Sequence, residues 1–173
     1  MFTVCKARTD IMAALIRVMK TGEVQRVDMA LLAVQAGILA NQTMNYLDSG
    51  TAPSRLGNAH PNISPYEVVP VADGHIILAI GNDGQFRRLT KILGIEAMAD
   101  DPLFAANKAR VASRAGVRGM GTAATAKWQK ADLLEACGKA AVPAGPINST
   151  AAPLVDPQVT ARTLRLDLAA QDG

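Results

Sequence analysis

Aromatic residues are scarce: three Phe, two Tyr and one Trp make up 3% of the 173 residues. The core must therefore be built mainly from Ala, Leu, Val and Ile, which pack well but bury less area per side chain than an aromatic ring. Cysteine is scarcer still, and Cys5 and Cys137 form neither a CxxC pair nor a cluster with histidine. That argues against a disulfide framework or a thiolate metal centre, and the expectation is two reduced thiols in a cytoplasmic protein with no metal. No apolar run approaches the ~20 residues that cross a bilayer, so no membrane partner is expected. The opening MFTVCKARTD meets charge too soon to be a signal peptide. An excess of one charge is also lacking, since 18 Lys and Arg face 15 Asp and Glu and are scattered along the chain. A nucleic-acid surface needs basic residues gathered on one face, so no nucleic-acid partner is expected. There is no GxGxxG after a strand, no P-loop, no GxSxG and no HExxH, which removes the familiar dinucleotide, phosphate, serine-hydrolase and zinc-protease signatures.

What is present is 49% hydrophobic sequence, enough for one ordinary domain with a buried core. Asp10 stands at a candidate N-cap for IMAALIRVMK, whose Ile11, Leu15 and Val18 keep helical spacing until Thr21-Gly22. A second apolar run, Val27 to Leu47, predicts a longer helix weakened at Gly37. The Gly, Pro, Ser and Asn density of residues 48–65 marks a linker and the main boundary, and a loop of that length is often functional.

The period then changes from helical to that of strands. YEVVPV and HIILAI flank Ala72-Asp73-Gly74, which predicts an antiparallel hairpin from Tyr66 to Ile80. A helix follows over Asp83 to Leu93 and stops at Gly94. DDPLF is expected to open another helix around Pro102, and NKARVASRAGVRGMG to extend it with its basic residues facing outward. TAKWQKADLLEACGKA predicts a last full helix, AVPAGPIN a short extended segment, and DPQVTARTLRLDL a small helix with a candidate edge strand. Helices, linker, then hairpin with helices makes an α+β fold rather than a doubly wound sheet.

On residue chemistry alone, His60 in the linker and His75 at a strand start are expected to be structural or solvated histidines. Asp10, Asp28, Asp73 and Asp83 have equally plain readings as an N-cap, a loop-end charge, a turn residue and a second N-cap.

Longer stretches carry more. TGEVQRVDMALL, NYLDSG, RLGNAHPNISPYEVVPVADGHIILAIGNDGQFRRL, DPLFAANKARVASR, VPAGPIN and DPQVTAR occur in this order. In that order they resemble the class III CoA-transferases (CaiB/BaiF), the family of formyl-CoA transferase, carnitine CoA-transferase and the methylacyl-CoA racemases. The resemblance runs from about Asp10 to Asp167. It implies the small α+β domain of such an enzyme with preceding helices from its large domain. Residues 1–47 would be a helical remnant of the large domain, 48–65 the linker, 66–150 the small domain and 151–173 a return segment. The family's N-terminal CoA-binding half has no counterpart here, so the resemblance implies a partial chain, inactive by itself.

The family's nucleophile is an aspartate at the start of the helix that runs into the Thr-Gly stretch, and Asp10 is the matching residue. In the family this carboxylate takes up an acyl group from acyl-CoA and then CoA itself as an aspartyl-CoA thioester, which a second carboxylic acid collects. CoA thus enters as part of the acyl-CoA substrate, not as a bound cofactor. Both readings of Asp10 stay open, because the helix after it is shorter than the family's by roughly ten residues, about three turns. Val24 and Ala33 also stand where the family commonly has Gly and Asp. His60 and Asn62, with Gly81, Asn82, Asp83, Gly84 and Gln85, match the loops that line the acyl side of the family's site. GNDGQF is similar to the branch that includes succinyl-CoA:glutarate CoA-transferase. The resemblance further implies acyl-CoA and a carboxylic acid as partners, and a homodimer or pairing with the missing half. The alternative is a non-catalytic structural or binding module derived from the same family.

Overall fold

The computed structural model describes residues 1–166. It divides into two compact units, Met1–Arg55 and Leu56–Gly173.

The first unit is helical. Its helix α1 runs over Phe2–Thr21, and the left-handed Gly22 ends it with its N–H on the Val18 carbonyl. Asp10 is therefore inside the helix and caps nothing, contrary to the N-cap expectation. The cause is local: no Gly or Pro interrupts Phe2 to Thr21, and the Thr9 hydroxyl bonds back to the Cys5 carbonyl instead of forming a cap. The expected long helix from Val27 is replaced by α2 over Leu31–Gly37 and α3 over Asn41–Ser49. Gly37 closes α2, and Ala40 takes a positive φ of 47° that no helix accommodates. Of these three helices only Val34 is buried, while Ile11, Leu15, Leu31, Leu32 and Leu47 are exposed.

The second unit holds the core. Strands β1 (Tyr66–Val71) and β2 (Gly74–Ala79) form the expected hairpin, with Val69 opposite Ile76 and Val71 opposite Gly74. β3 (Ala144–Pro146) adds antiparallel to β2, giving the order β1-β2-β3. Pro70 lacks a ladder N–H and is tolerated because β1 is an edge strand. One face of the hairpin carries Val69, Val71, Ile76 and Leu78 inward, as the period of two requires.

Helix α4 covers Asp83–Leu93 and lays Phe86 and Leu89 on that face. Gly94 ends it at φ 69°, a left-handed conformation that glycine reaches without a Cβ penalty. α5 (Ala97–Asp100) adds Met98 and Ala99 to the core. Asp101 to Phe104 is a turn and not the start of a helix, because the Asp101 carboxylate accepts the Leu103 N–H at 2.8 Å and closes it. α6 (Asn107–Ala112) and α7 (Arg114–Thr125) follow. Phe104 packs so close under α7 that a Cβ on Gly116 would meet its ring at 3.3 Å. α8 (Lys130–Lys139) buries Leu133 and Cys137, and the Asp73 carboxylate in the hairpin turn accepts the Lys130 N–H at 2.7 Å. A 3-10 turn at Ala152–Val155 and α9 at Pro157–Ala161 end the described structure. The candidate edge strand falls at its limit: residues 164–166 are not a strand, and residues 167–173 lie outside the described residues.

The two cysteines are free and differ sharply in setting, Cys5 exposed on α1 and Cys137 buried on α8, where burial pushes its thiol pKa up. A thiol reagent at neutral pH is expected to label Cys5 at once and Cys137 only as the unit unfolds. Peptide mass spectrometry over time checks this; equal labelling rates would contradict the packing of α8.

Candidate functional site

The polar residues singled out in the sequence fall into two places, one in each unit. In the first, Asp10 lines a cleft of about 390 Å³ with Ala13, Ala14 and Arg17 of α1 and Gln25 to Asp28 of the following segment. Helical spacing puts Asp10, Ala13, Ala14 and Arg17 on one face of α1, and the two alanines leave room there. The Asp10 carboxylate is about one-third exposed and paired with Lys6 one turn back at 3.0 Å. Arg17 is held by Glu23 at 2.5 Å. The arrangement offers a partly exposed carboxylate beside an ammonium group, in a cleft that Arg17 and Arg26 also line.

The second place is a polar edge of the small domain built from two loops. In the first loop the His60 N–H donates to the Tyr66 carbonyl at 2.9 Å, and its ring stacks on Tyr66 with centroids 5.2 Å apart. His60 Nδ1 accepts the Asn62 N–H at 3.1 Å. The Asn58 side chain accepts the Val68 N–H at 3.0 Å and fastens the loop to β1. His75 is exposed on β2 and joins no site.

The second loop caps α4. Asn82, not Asp83, is the N-cap: its Oδ1 accepts the Gln85 N–H at 2.9 Å, while Gln85 Oε1 reaches back to the Gly81 N–H at 2.7 Å. This reciprocal pair is a capping box shifted one residue back. Asp83 occupies the first helical position, where a negative charge suits the helix dipole.

The structure brings these loops together through residues that the sequence pattern assigned to solvent. Arg110 of α6 is fully buried, contrary to the outward-facing expectation. Its Nε donates to the Ser64 carbonyl at 2.7 Å and its Nη2 to the Asp83 carboxylate at 2.7 Å. Nη1 donates to the Phe104 and Ala105 carbonyls, and the guanidinium lies 4.3 Å from the Phe86 ring centroid. Asn107 donates to the Asn62 carbonyl at 2.9 Å and accepts the Ser64 N–H at 3.2 Å. Arg114 donates to the Pro61 carbonyl at 3.0 Å. His60, Asn62 and Gly81 to Gln85 thus share one edge, supported from behind by α6 and α7. Their partners lie tens of residues away in sequence; the only signal available was the cluster of Asn107, Arg110 and Arg114 at helical spacing.

Beneath this edge, Glu67 of β1 is buried and paired with Arg118 of α7. Among the described residues no group of three or more His, Cys, Asp or Glu could hold a metal ion, and no helix is long and apolar enough to cross a membrane.

Comparison with known proteins agrees with this architecture. The chain is 63% identical over 172 residues to a succinate–glutarate CoA-transferase of Agrobacterium fabrum, covering 99% of this chain and 43% of that protein. It is 33% identical over 163 residues to human succinyl-CoA:glutarate CoA-transferase, covering 91% of this chain and 36% of that one. The crystal structure of a CaiB/BaiF family protein from Brucella suis superposes with a TM-score of 0.76 at 48% identity, over 96% of this chain and 44% of that one. Rv3272 of Mycobacterium tuberculosis, seen as a mutant, shares the fold at a TM-score of 0.80 and 19% identity. The chain spans less than half the length of these relatives. The sequence profile of CoA-transferase family III matches residues 3–173, and the chain belongs to that family.

Proposed function

We propose that this chain is the part of an acyl-CoA:carboxylate CoA-transferase that carries the reacting carboxylate, Asp10, and the acyl-side wall, His60, Asn62 and Gly81 to Gln85. The observation that carries this reading is the 63% identity, along nearly the whole chain, to a succinate–glutarate CoA-transferase. Small dicarboxylic acids and their CoA thioesters are accordingly the proposed substrates.

In this reading the Asp10 carboxylate attacks the thioester carbonyl of the donor, forming a mixed anhydride and releasing CoA as thiolate. The thiolate then attacks the Asp10 carbonyl, freeing the first acid and leaving an aspartyl-CoA thioester. The carboxylate of the second acid attacks that thioester, and the returning thiolate takes the new acyl group and restores Asp10. Each step develops negative charge on a carbonyl oxygen, which needs oriented donors in a site closed to water.

Asp10 as it stands in this chain is solvated and paired with Lys6, which disfavours attack. Productive orientation would come from binding the nucleotide end of CoA, remote from the reacting carbonyl. We therefore take the isolated chain to be inactive and the portion of the relatives outside the match to be required, within one protein or in a homodimer, in the cytoplasm. The two free cysteines are in keeping with that compartment.

The test is transfer of CoA from succinyl-CoA to glutarate, followed by chromatography of the thioesters. The chain alone is expected to give no transfer. The same chain replacing the matching segment of the Agrobacterium protein is expected to give transfer. A folded hybrid without activity would favour the non-catalytic module, and turnover by the chain alone would contradict the need for the remainder.

A further inference from the structure

Arg110 is the least expected residue of the small domain. A guanidinium that is fully buried must have its donors satisfied, and here they are spent on two different loops at once. On one side lies the Ser64 carbonyl, at the end of the loop that carries His60 and Asn62. On the other lies the Asp83 carboxylate, in the loop that carries Gly81 to Gln85. Phe86 below and the Phe104 and Ala105 carbonyls behind hold the guanidinium plane. A hydrophobic side chain of similar volume could fill the space, since buried ionic groups are seldom needed for stability alone. It could not bond both loops in one fixed geometry, which is what the planar fork of arginine provides.

We propose that Arg110 is a positioning residue that couples the His60–Ser64 loop to the Gly81–Gln85 loop, so that the two halves of the polar edge move as one. Asp83 is the accessible end of the coupling, because its side chain remains 57% exposed while Arg110 is fully buried. A ligand that draws the Asp83 carboxylate away from the guanidinium therefore loosens Ser64, with Asn62 linked to it through Asn107. Only the consequence for catalysis rests on reading this edge as the acyl-side wall of a transferase; the coupling itself can be measured on the chain with no substrate present.

The experiment is amide hydrogen exchange, read residue by residue by NMR, on the 173-residue chain and its Asp83→Asn variant. Asparagine keeps the size of the side chain and removes the charge. The Gly81 and Gln85 amides should exchange faster, and the Ser64 amide should accelerate with them by about fivefold, the scale of one charge-assisted contact at a partly exposed site. The Leu78 amide in β2 should be unchanged, which separates loosening of the loops from general destabilisation. Arg110→Lys keeps the charge but not the fork, and should accelerate both loops together; if that variant fails to fold, Asp83→Asn decides alone. Faster exchange confined to Gly81–Gln85, or no change in either loop, overturns the coupling. Absence of transferase activity in the hybrid described above would leave it standing.

Discussion

Replacing Ile76 by alanine is expected to lower the stability of the small domain by about 2–5 kcal/mol, the range for removing a buried branched side chain from a core that relaxes only in part. Ile76 is fully buried, sits in the central strand β2, and lies opposite Val69 on one side and Pro146 on the other. Leu78, Phe86, Leu89 and Leu133 belong to the same core. With only 3% aromatic residues the chain has few large side chains that could lean into the cavity. Domains of this size are typically stable by roughly 5–15 kcal/mol, so the loss is a large fraction of the total. Urea unfolding should show a lower midpoint with little change in slope. The matched control is Leu32→Ala in the helical unit, where the side chain is 80% exposed and the expected change is within about 0.5 kcal/mol. Equal effects at the two positions would contradict the assignment of the core.

The contrast between these positions also shows what could be read from the residues. The hairpin was legible because alternation of apolar residues meets Asp73-Gly74 at the turn, and α4 because Gly94 marks its end, although its N-cap is Asn82 and not the expected Asp83. These are local signals, and the local solution is also the global one. Ala40 shows the limit, since nothing in its neighbours announces a positive φ. Asp10 shows another: a residue type favoured at N-caps sits inside α1, where no Gly or Pro stops the helix between Phe2 and Asp10. Arg110 was illegible for a deeper reason. Its partners Ser64 and Asp83 lie 46 and 27 residues away, and helical period alone gives an arginine to solvent. The loop residues His60, Asn62 and Gly81 to Gln85 were singled out by family resemblance alone, whereas the side chains that hold them together emerge only from the packing of α6 and α7.

The larger expected effect is chemical. In the hybrid that joins this chain to the remainder of the Agrobacterium protein, Asp10→Asn should reduce CoA transfer by at least roughly 10⁴-fold, the scale of losing a residue that forms the covalent intermediate. Asparagine preserves shape and removes the nucleophile, so substrate binding should survive where turnover does not. Glu67→Gln, a change in a buried pair beneath the polar edge, should act mainly on stability, because its partner Arg118 belongs to the fold of the small domain.

The most direct measurement is to trap the intermediate. The hybrid is mixed with succinyl-CoA and no acceptor acid, quenched with borohydride or hydroxylamine, digested, and examined by peptide mass spectrometry. The account predicts modification at Asp10 in near-stoichiometric amount, its disappearance when glutarate is added before the quench, and none in Asp10→Asn or in the 173-residue chain alone. A hybrid that turns over with Asp10 unmodified, or an adduct carried by a different carboxylate, would contradict it.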